Sequence, residues 1–174
     1  GRKHKFYKRG GKFFVYTNGV GGKMSEFQIT YTFGVRPLQQ YLIPFDKGKY
    51  QCLPIAWDTN KKRWFDMAEM VYQPEDLKPE SWFYWTNQSQ NWNGMCAECH
   101  STNLQKNYNL ENDSFNTTWS DIDVNCEACH GPGSEHLDWA KLPDGARDYD
   151  GNMGLVLKTS GTTSKQFIEA CAPC

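Results

Sequence analysis

Histidine is scarce in this chain, occurring four times, at positions 4, 100, 130 and 136. Any function built on imidazole must therefore account for each ring. There is no run of about 18 apolar residues, so no segment reads as a membrane-spanning helix. Neither sign of charge prevails: 19 Lys and Arg stand against 20 Asp and Glu. That balance argues neither for nor against nucleic acid, and nothing else in the chain calls for such a partner. No repeat of solenoid length is visible. The chain opens on Gly1 with neither an initiator Met nor a signal peptide, and stops on Cys174. It reads as an internal piece of a longer polypeptide, so missing targeting signals carry no information.

What is present divides into two halves of different character. The 174 residues suffice for one ordinary domain with a core. The stretch "GRKHKFYKRGGK" holds six basic residues and no acidic one, and the stretch from Glu111 to Asp150 is acidic. Both read as solvated surface. The run "KFFVYTNG" alternates and ends on a turn signal, Asn18-Gly19, with Gly21 and Gly22 close behind. "EFQITYTFGV" follows, and in "KYQCLPIAWDTNKKRWFDM" the segment "DTNKK" is a loop between two strands. Gln73 to Ser81, rich in Pro and Glu, reads as a linker. Short helices are predicted from Ser134 to Lys141 and from Ser164 to Ala170, each opening on a Ser able to cap. The expected fold is α+β with much irregular structure. A small antiparallel sheet should occupy residues 1–73, followed by a region with short helices over residues 74–174.

Six of the seven cysteines fall in Cys-x-x-Cys pairs, a spacing that free disulfide pairing would not need. Cys52 stands alone in a strand-like run and reads as a buried small hydrophobe, neither bridged nor modified. Cys96-Ala-Glu-Cys99-His100 and Cys126-Glu-Ala-Cys129-His130 share one pattern. In a c-type haem two thiols add across the two vinyl groups on one edge of the porphyrin. Two intervening residues set the sulfurs at the vinyl separation, and the His that follows lies under the iron as axial ligand. Zinc held by two Cys-x-x-Cys pairs, or a redox dithiol, are the competing readings. Zinc needs no His directly after the second Cys, and a redox dithiol is normally one pair per domain, so haem c is preferred at these two sites. Cys171-Ala-Pro-Cys174 looks like a third attachment site, cut before its ligand.

Each iron has a second axial position. His136 is the best distal candidate, six residues past His130, a maximum reach of about 20 Å. Ligating a neighbouring haem is easier for it than wrapping round a ring already pinned by two thioethers. His4 lies in a basic, mobile end, where it is either a ligand or a surface residue. Met95 and Met153 are possible sulfur ligands, though Met is more often core filler. Trp82, Phe83, Trp85 and Trp92 would pack against a haem face.

Residues 91–140, "NWNGMCAECH…NCEACHGPGSEHLDWA", together with "YTFGVRPLQQYLIPF" and "AWDTNKKRWFDM" upstream, resemble the secreted multihaem c-type cytochromes related to the tetrahaem cytochrome c of nitrifying bacteria. Many of these carry tetratricopeptide repeats. The resemblance runs from about Phe6 to Cys174. It implies haem sites at Cys96, Cys99 and His100, at Cys126, Cys129 and His130, and at Cys171 and Cys174, with His136 as a distal ligand. It also implies a further haem motif upstream of Gly1 and a His after Cys174. His4 departs from the pattern, because the family's His in this region lies further upstream. The expected function is electron transfer through closely spaced haems, with redox proteins and other haem-bearing segments or subunits as partners. Haem attachment to thiols implies a periplasmic or extracellular, prokaryotic setting. An oxidoreductase acting on a small nitrogen or sulfur compound at an open iron, or a subunit of a conducting filament, are the other expectations.

Overall fold

The computed structural model describes residues 4–157 and 161–172. The chain forms two compact units. The first comprises Gly1–Ala97 with Gln105–Thr118, the second Glu98–Leu104 with Trp119–Cys174. The fold is α+β: antiparallel sheets, a few helices of no more than eight residues, and long irregular connections.

In the first unit β1 (Lys5–Arg9), β2 (Lys12–Asn18) and β3 (Met24–Ile29) form a three-stranded meander. A second sheet follows from β4 (Tyr31–Phe33), β5 (Leu38–Pro44), β6 (Tyr50–Cys52), β7 (Ile55–Asp58) and β8 (Arg63–Asp66). Strand β5 pairs with β4, β6 and β7. Between β6 and β7 the edge is interrupted at Leu53-Pro54, where proline has no N–H for the ladder. The "DTNKK" loop joins β7 to β8 as expected. The basic N-terminal stretch is not merely solvated surface. It supplies β1, and Arg9 forms an ion pair with Glu26 across the meander at 2.5 Å. The Arg9 guanidinium and the Tyr7 hydroxyl hold the Glu26 carboxyl below its usual range.

The core lies in this unit. Val15, Ile43, Leu53, Ile55, Tyr84 and Trp85 cluster, with Phe27, Tyr41 and Phe45 packed against them. Tyr84 and Trp85 bring their polar ends inside as well, donating to the carbonyls of Gly19 and Asn18 at 3.1 and 2.6 Å. Trp85 and Trp92 are therefore protein core rather than free faces for a cofactor, whereas Trp82 and Phe83 remain exposed. The segment read as a linker is also packed: Leu77 is buried, beyond the short helix α1 (Ala68–Val71). Helix α2 (Trp92–Met95) and the small hairpin β9 (Tyr108–Asn109) and β10 (Ser114–Phe115) complete the unit.

The second unit holds α3 (Cys126–His130), α4 (Ser134–Lys141) and α5 (Ser164–Cys171). The last two match the predicted helices, but their caps lie one residue earlier than expected. Gly133 precedes α4 with no side-chain cap. Thr163 caps α5 in a reciprocal box with Gln166, so the two serines are the first helical residues. Among the described residues, every buried apolar side chain belongs to the first unit and none to the second. Val124, Leu137, Leu142, Val156, Phe167 and Ile168 of the second unit are all exposed.

Leu53 is fully buried at the centre of the core cluster. Leu53→Ala should lower the unfolding free energy by about 2–5 kcal/mol, read from chemical denaturation. A loss below about 1 kcal/mol would place Leu53 outside the core.

Candidate functional site

The first Cys-x-x-Cys-His starts at the C-terminal end of α2. Asn91 caps this helix, its Oδ1 accepting from the Gly94 N–H at 3.0 Å. Three buried amide side chains then fasten α2 to β6. Asn93 Oδ1 accepts from the Tyr50 N–H at 2.7 Å, and its Nδ2 donates to the Gly48 carbonyl at 3.2 Å and to Thr117 Oγ1 at 2.9 Å. Asn91 Nδ2 donates to Gln51 Oε1 at 3.2 Å, and Gln51 Nε2 donates to the Trp85 and Asn87 carbonyls at 2.9 and 2.8 Å. Each buried group left unpaired would cost about 1–3 kcal/mol, so the network fixes helix against strand. Cys96 follows as the half-buried C-cap residue. The influence of Cys96 and burial push the Cys52 thiol well up, and the influence of Cys52 draws the Cys96 thiol down. The chain passes from the first unit to the second between Ala97 and Glu98, within the motif. Cys99 and His100 are exposed.

The second motif is itself a helix, α3. Side chains at i, i+3 and i+4 share a helix face, so Cys126, Cys129 and His130 project together. Asn125 caps it, Oδ1 accepting from the Glu127 N–H at 2.9 Å. The Asn125 N–H donates to Thr102 Oγ1 at 3.1 Å, and that hydroxyl donates to the Asp123 carbonyl at 2.7 Å. The Thr102 backbone pairs with the Asp121 carbonyl and the Ser120 N–H, both at 2.9 Å. Thr102 lies two residues after His100, and Asn125 lies one before Cys126. The tail of the first motif and the head of the second are thus laced side by side.

A cavity of about 520 Å³ opens in this unit, lined by Thr102, Leu104, Ala128, Gly131 and Pro132 among others. Gly131 turns the chain out of α3 at φ +73 and ψ −176, a region essentially reserved for glycine. Glu127 clamps the turn by accepting from the Gly133 N–H at 2.8 Å. Cys126 and Cys129 are free, exposed thiols. His130 Nδ1 is buried with no hydrogen-bond partner. That costs about 1–3 kcal/mol, which a ring placed only to bond within the protein would avoid. The cavity is lined by the Glu127, Ala128 and Gly131 side of α3 and not by the motif side chains, but the motif residues themselves fit a haem c: two accessible thiols and an imidazole on one helix face.

His136 lies on α4, half-buried and stacked on Trp139 at 5.5 Å. Its Nδ1 is 2.7 Å from the Met153 carbonyl oxygen. A carbonyl can only accept, so Nδ1 carries the proton and the neutral ring keeps its lone pair on Nε2. Histidines that ligate metals are held in this way. Gly154 makes the approach possible, since a Cβ there would stand 2.5 Å from the Glu135 carbonyl oxygen. Met153 thus serves His136 through its backbone, and Met95 is exposed.

His4 is tied to the neighbouring strand β2. Its Nδ1 is 2.7 Å from Thr17 Oγ1, and with Phe6, Tyr16, Met24, Ile55 and Trp64 it lines a cleft of about 690 Å³ in the first unit. Cys171 ends α5 and is exposed, while Cys174 lies outside the described residues. Among the described residues no three His, Cys, Asp or Glu side chains gather as a metal-ion site. Sequence reasoning missed the Thr102–Asn125 lacing, of which only the Asn cap before "CEACH" was readable.

Residues 56–131, which include both complete motifs, match the family model described as cytochrome c554 and c-prime. No curated protein matches the chain. A solved structure, that of the outer cell wall cytochrome OcwA, is 22% identical, with a TM-score of 0.37. The likeness covers 59% of this chain and 19% of that one, so the chain spans well under two thirds of that protein's length.

The Nδ1–Met153 bond generates a test. His136→Ala should leave the number of attached haems unchanged while one haem turns high-spin, seen by absorption or electron paramagnetic resonance. If His136 only packs against Trp139, the variant's spectrum will match that of the parent protein.

Proposed function

We propose that this chain is an electron-transfer module of a multihaem c-type cytochrome. Haem c is attached through Cys96 and Cys99 and through Cys126 and Cys129, with a third haem at Cys171 and Cys174. The observation that carries the proposal is the composition of the second unit. Among its described residues no apolar side chain is buried, yet Cys126, Cys129 and His130 share one helix face within it. A unit with many exposed apolar groups and no core needs an apolar body to fold around. The match of residues 56–131 to cytochrome c554 and c-prime points to the same body.

When bound, the haem iron supplies one-electron redox chemistry. The remaining work belongs to the chain. The four thiols of the two complete motifs anchor two porphyrin edges, and His100 and His130 present the proximal nitrogens. His136 holds its proton on Nδ1 against the Met153 carbonyl and offers Nε2 to a haem other than that of its own motif. His4, braced by Thr17 in an apolar cleft, is positioned to offer a ring nitrogen to a haem of another segment. The lacing of Thr102 to Asn125 keeps the two attachment segments adjacent, and electron tunnelling falls steeply with distance. Partners are redox proteins and other haem-bearing segments or subunits, outside the cytoplasm.

Intact-mass analysis of the denatured protein should show two haem additions, on Cys96/Cys99 and Cys126/Cys129, and a third where the last motif is complete. Unmodified thiols with bound zinc would overturn the reading. Removal of haem gives an independent check. Amide exchange in the haem-free full chain should be fast through α3 and α4 and slow in β5 and β7. Equal protection in both units would mean that the second unit does not depend on haem.

A further inference from the structure

The bond from His136 Nδ1 to the Met153 carbonyl fixes which nitrogen carries the proton, but a ring held at one point can still turn about that bond. Nε2 lies off the line of the Nδ1–H bond, so such a turn would swing its lone pair round. The neighbour that stops the turn is Trp139. The two residues stand at i and i+3 on α4 and so share a face. Their rings stack, with centroids 5.5 Å apart and planes inclined by 18°. Contact is through the flat of the imidazole, which leaves the Nε2 edge uncovered by Trp139.

Trp139 is itself fixed by the loop that follows α4. Its Nε1–H donates to the Asp148 carbonyl at 3.0 Å, and Tyr149 meets it edge-on, with centroids 5.3 Å apart. The Arg147 guanidinium stands over the indole, 5.7 Å from its centroid. Arg147 is anchored in turn: Nη2 donates to the Ala140 carbonyl at 2.6 Å and Nη1 to Asp144 at 2.8 Å, while Nε is buried with no hydrogen-bond partner. A guanidinium that leaves a buried donor unpaired is placed for the ring beneath it more than for a full set of hydrogen bonds. Burial in a core does not explain this arrangement. His136 and Trp139 are both half-buried, in a unit whose described residues bury no apolar side chain.

We propose that Trp139 is a positioning residue, which sets the plane of the His136 imidazole and thereby how strongly Nε2 holds a haem iron. The proposal rests on the reading of His136 as an axial ligand. Trp139 touches neither iron nor porphyrin in this role and acts through the ring it stacks on. The loop from Asp144 to Met153 then supplies both constraints on the ligand: the tautomer directly, through the Met153 carbonyl, and the plane through Trp139. Groups that orient a metal-bound histidine in this way typically contribute about 10–100-fold to affinity for the metal.

The experiment uses the haem-loaded full chain and carbon monoxide, which binds a reduced haem only where an axial position opens. The haem to follow is the one that turns high-spin in His136→Ala. Trp139→Leu should let carbon monoxide bind that haem at about 10–100-fold lower concentration than in the parent protein, with the number of attached haems unchanged and the other haems unaffected. In the oxidised variant the electron paramagnetic resonance signal of the same haem should stay low-spin but shift and broaden, because the imidazole no longer has a single plane. Trp139→Phe keeps a stacking ring and loses the Nε1–H donor, so it should restore most of the resistance to carbon monoxide. If Trp139→Leu titrates like the parent while His136→Ala turns one haem high-spin, the positioning role is overturned and the ligand reading stands. If His136→Ala leaves every haem low-spin, the ligand reading falls and the proposal with it. Equal damage in Trp139→Leu and Trp139→Phe, spread over all the haems, would make Trp139 a residue of the fold and overturn its positioning role.

Discussion

A stretch of chain whose described residues bury none of their apolar side chains is the constraint on which the rest of this structure depends. Ordering each residue costs about 1–2 kcal/mol of backbone entropy, and burial of apolar surface is the main term that offsets it. The second unit lacks that term from its own described side chains. What it has is polar: an Asn cap on α3, a Thr–Gln box on α5, Glu127 holding the Gly133 turn, and Thr102 tied to Asn125. Hydrogen bonds of this kind contribute roughly 1 kcal/mol each. They choose a conformation more readily than they stabilise one. The thiols and the imidazole on α3 fit the role of bringing in the missing apolar body, so attachment chemistry and folding become one event.

The first unit shows the opposite arrangement. Its aromatics build a protein core, in which Phe27, Phe45 and Trp85 meet edge to face or stacked within 5.8 Å. The Trp85 and Tyr84 polar groups are spent on the turn at Asn18 and Gly19. This unit can hold its shape without help and pass that shape on. Through the clamp of Asn91, Asn93 and Gln51 it sets the place of Cys96, the first sulfur of the first motif. A rigid sheet therefore positions the start of the attachment sequence.

Both motifs could be read from the sequence because covalent chemistry dictates their spacing: two thiols at the vinyl separation and a ligand directly after. The hairpins from β2 onward were legible through alternation and Gly turns. Strand β1 was not, because Lys and Arg in "KFYKR" suggested solvent, although their outward side chains leave room for Phe6 in the core. Trp85 and Trp92 illustrate a second limit. Density of aromatics says that large apolar surfaces will be covered, but not whether protein or cofactor covers them. The caps of α4 and α5 were displaced by one residue for local reasons, a glycine turn before Ser134 and a Thr–Gln pair around Ser164.

Scarcity of histidine makes the state of each ring matter, and the environments of two rings differ in what they determine. At His4 the partner is a hydroxyl, which can donate or accept, so either ring nitrogen can carry the proton. At His136 the partner is a carbonyl, which can only accept, so the tautomer follows from the geometry. The close approach of Gly154 to the backbone of α4 brings that carbonyl to the ring. A larger residue at 154 would push the Met153 carbonyl away and free the ring to take either tautomer. The fitness of His136 as a ligand is thus set by the backbone of a loop seventeen residues later, at Met153, rather than by the helix that carries it.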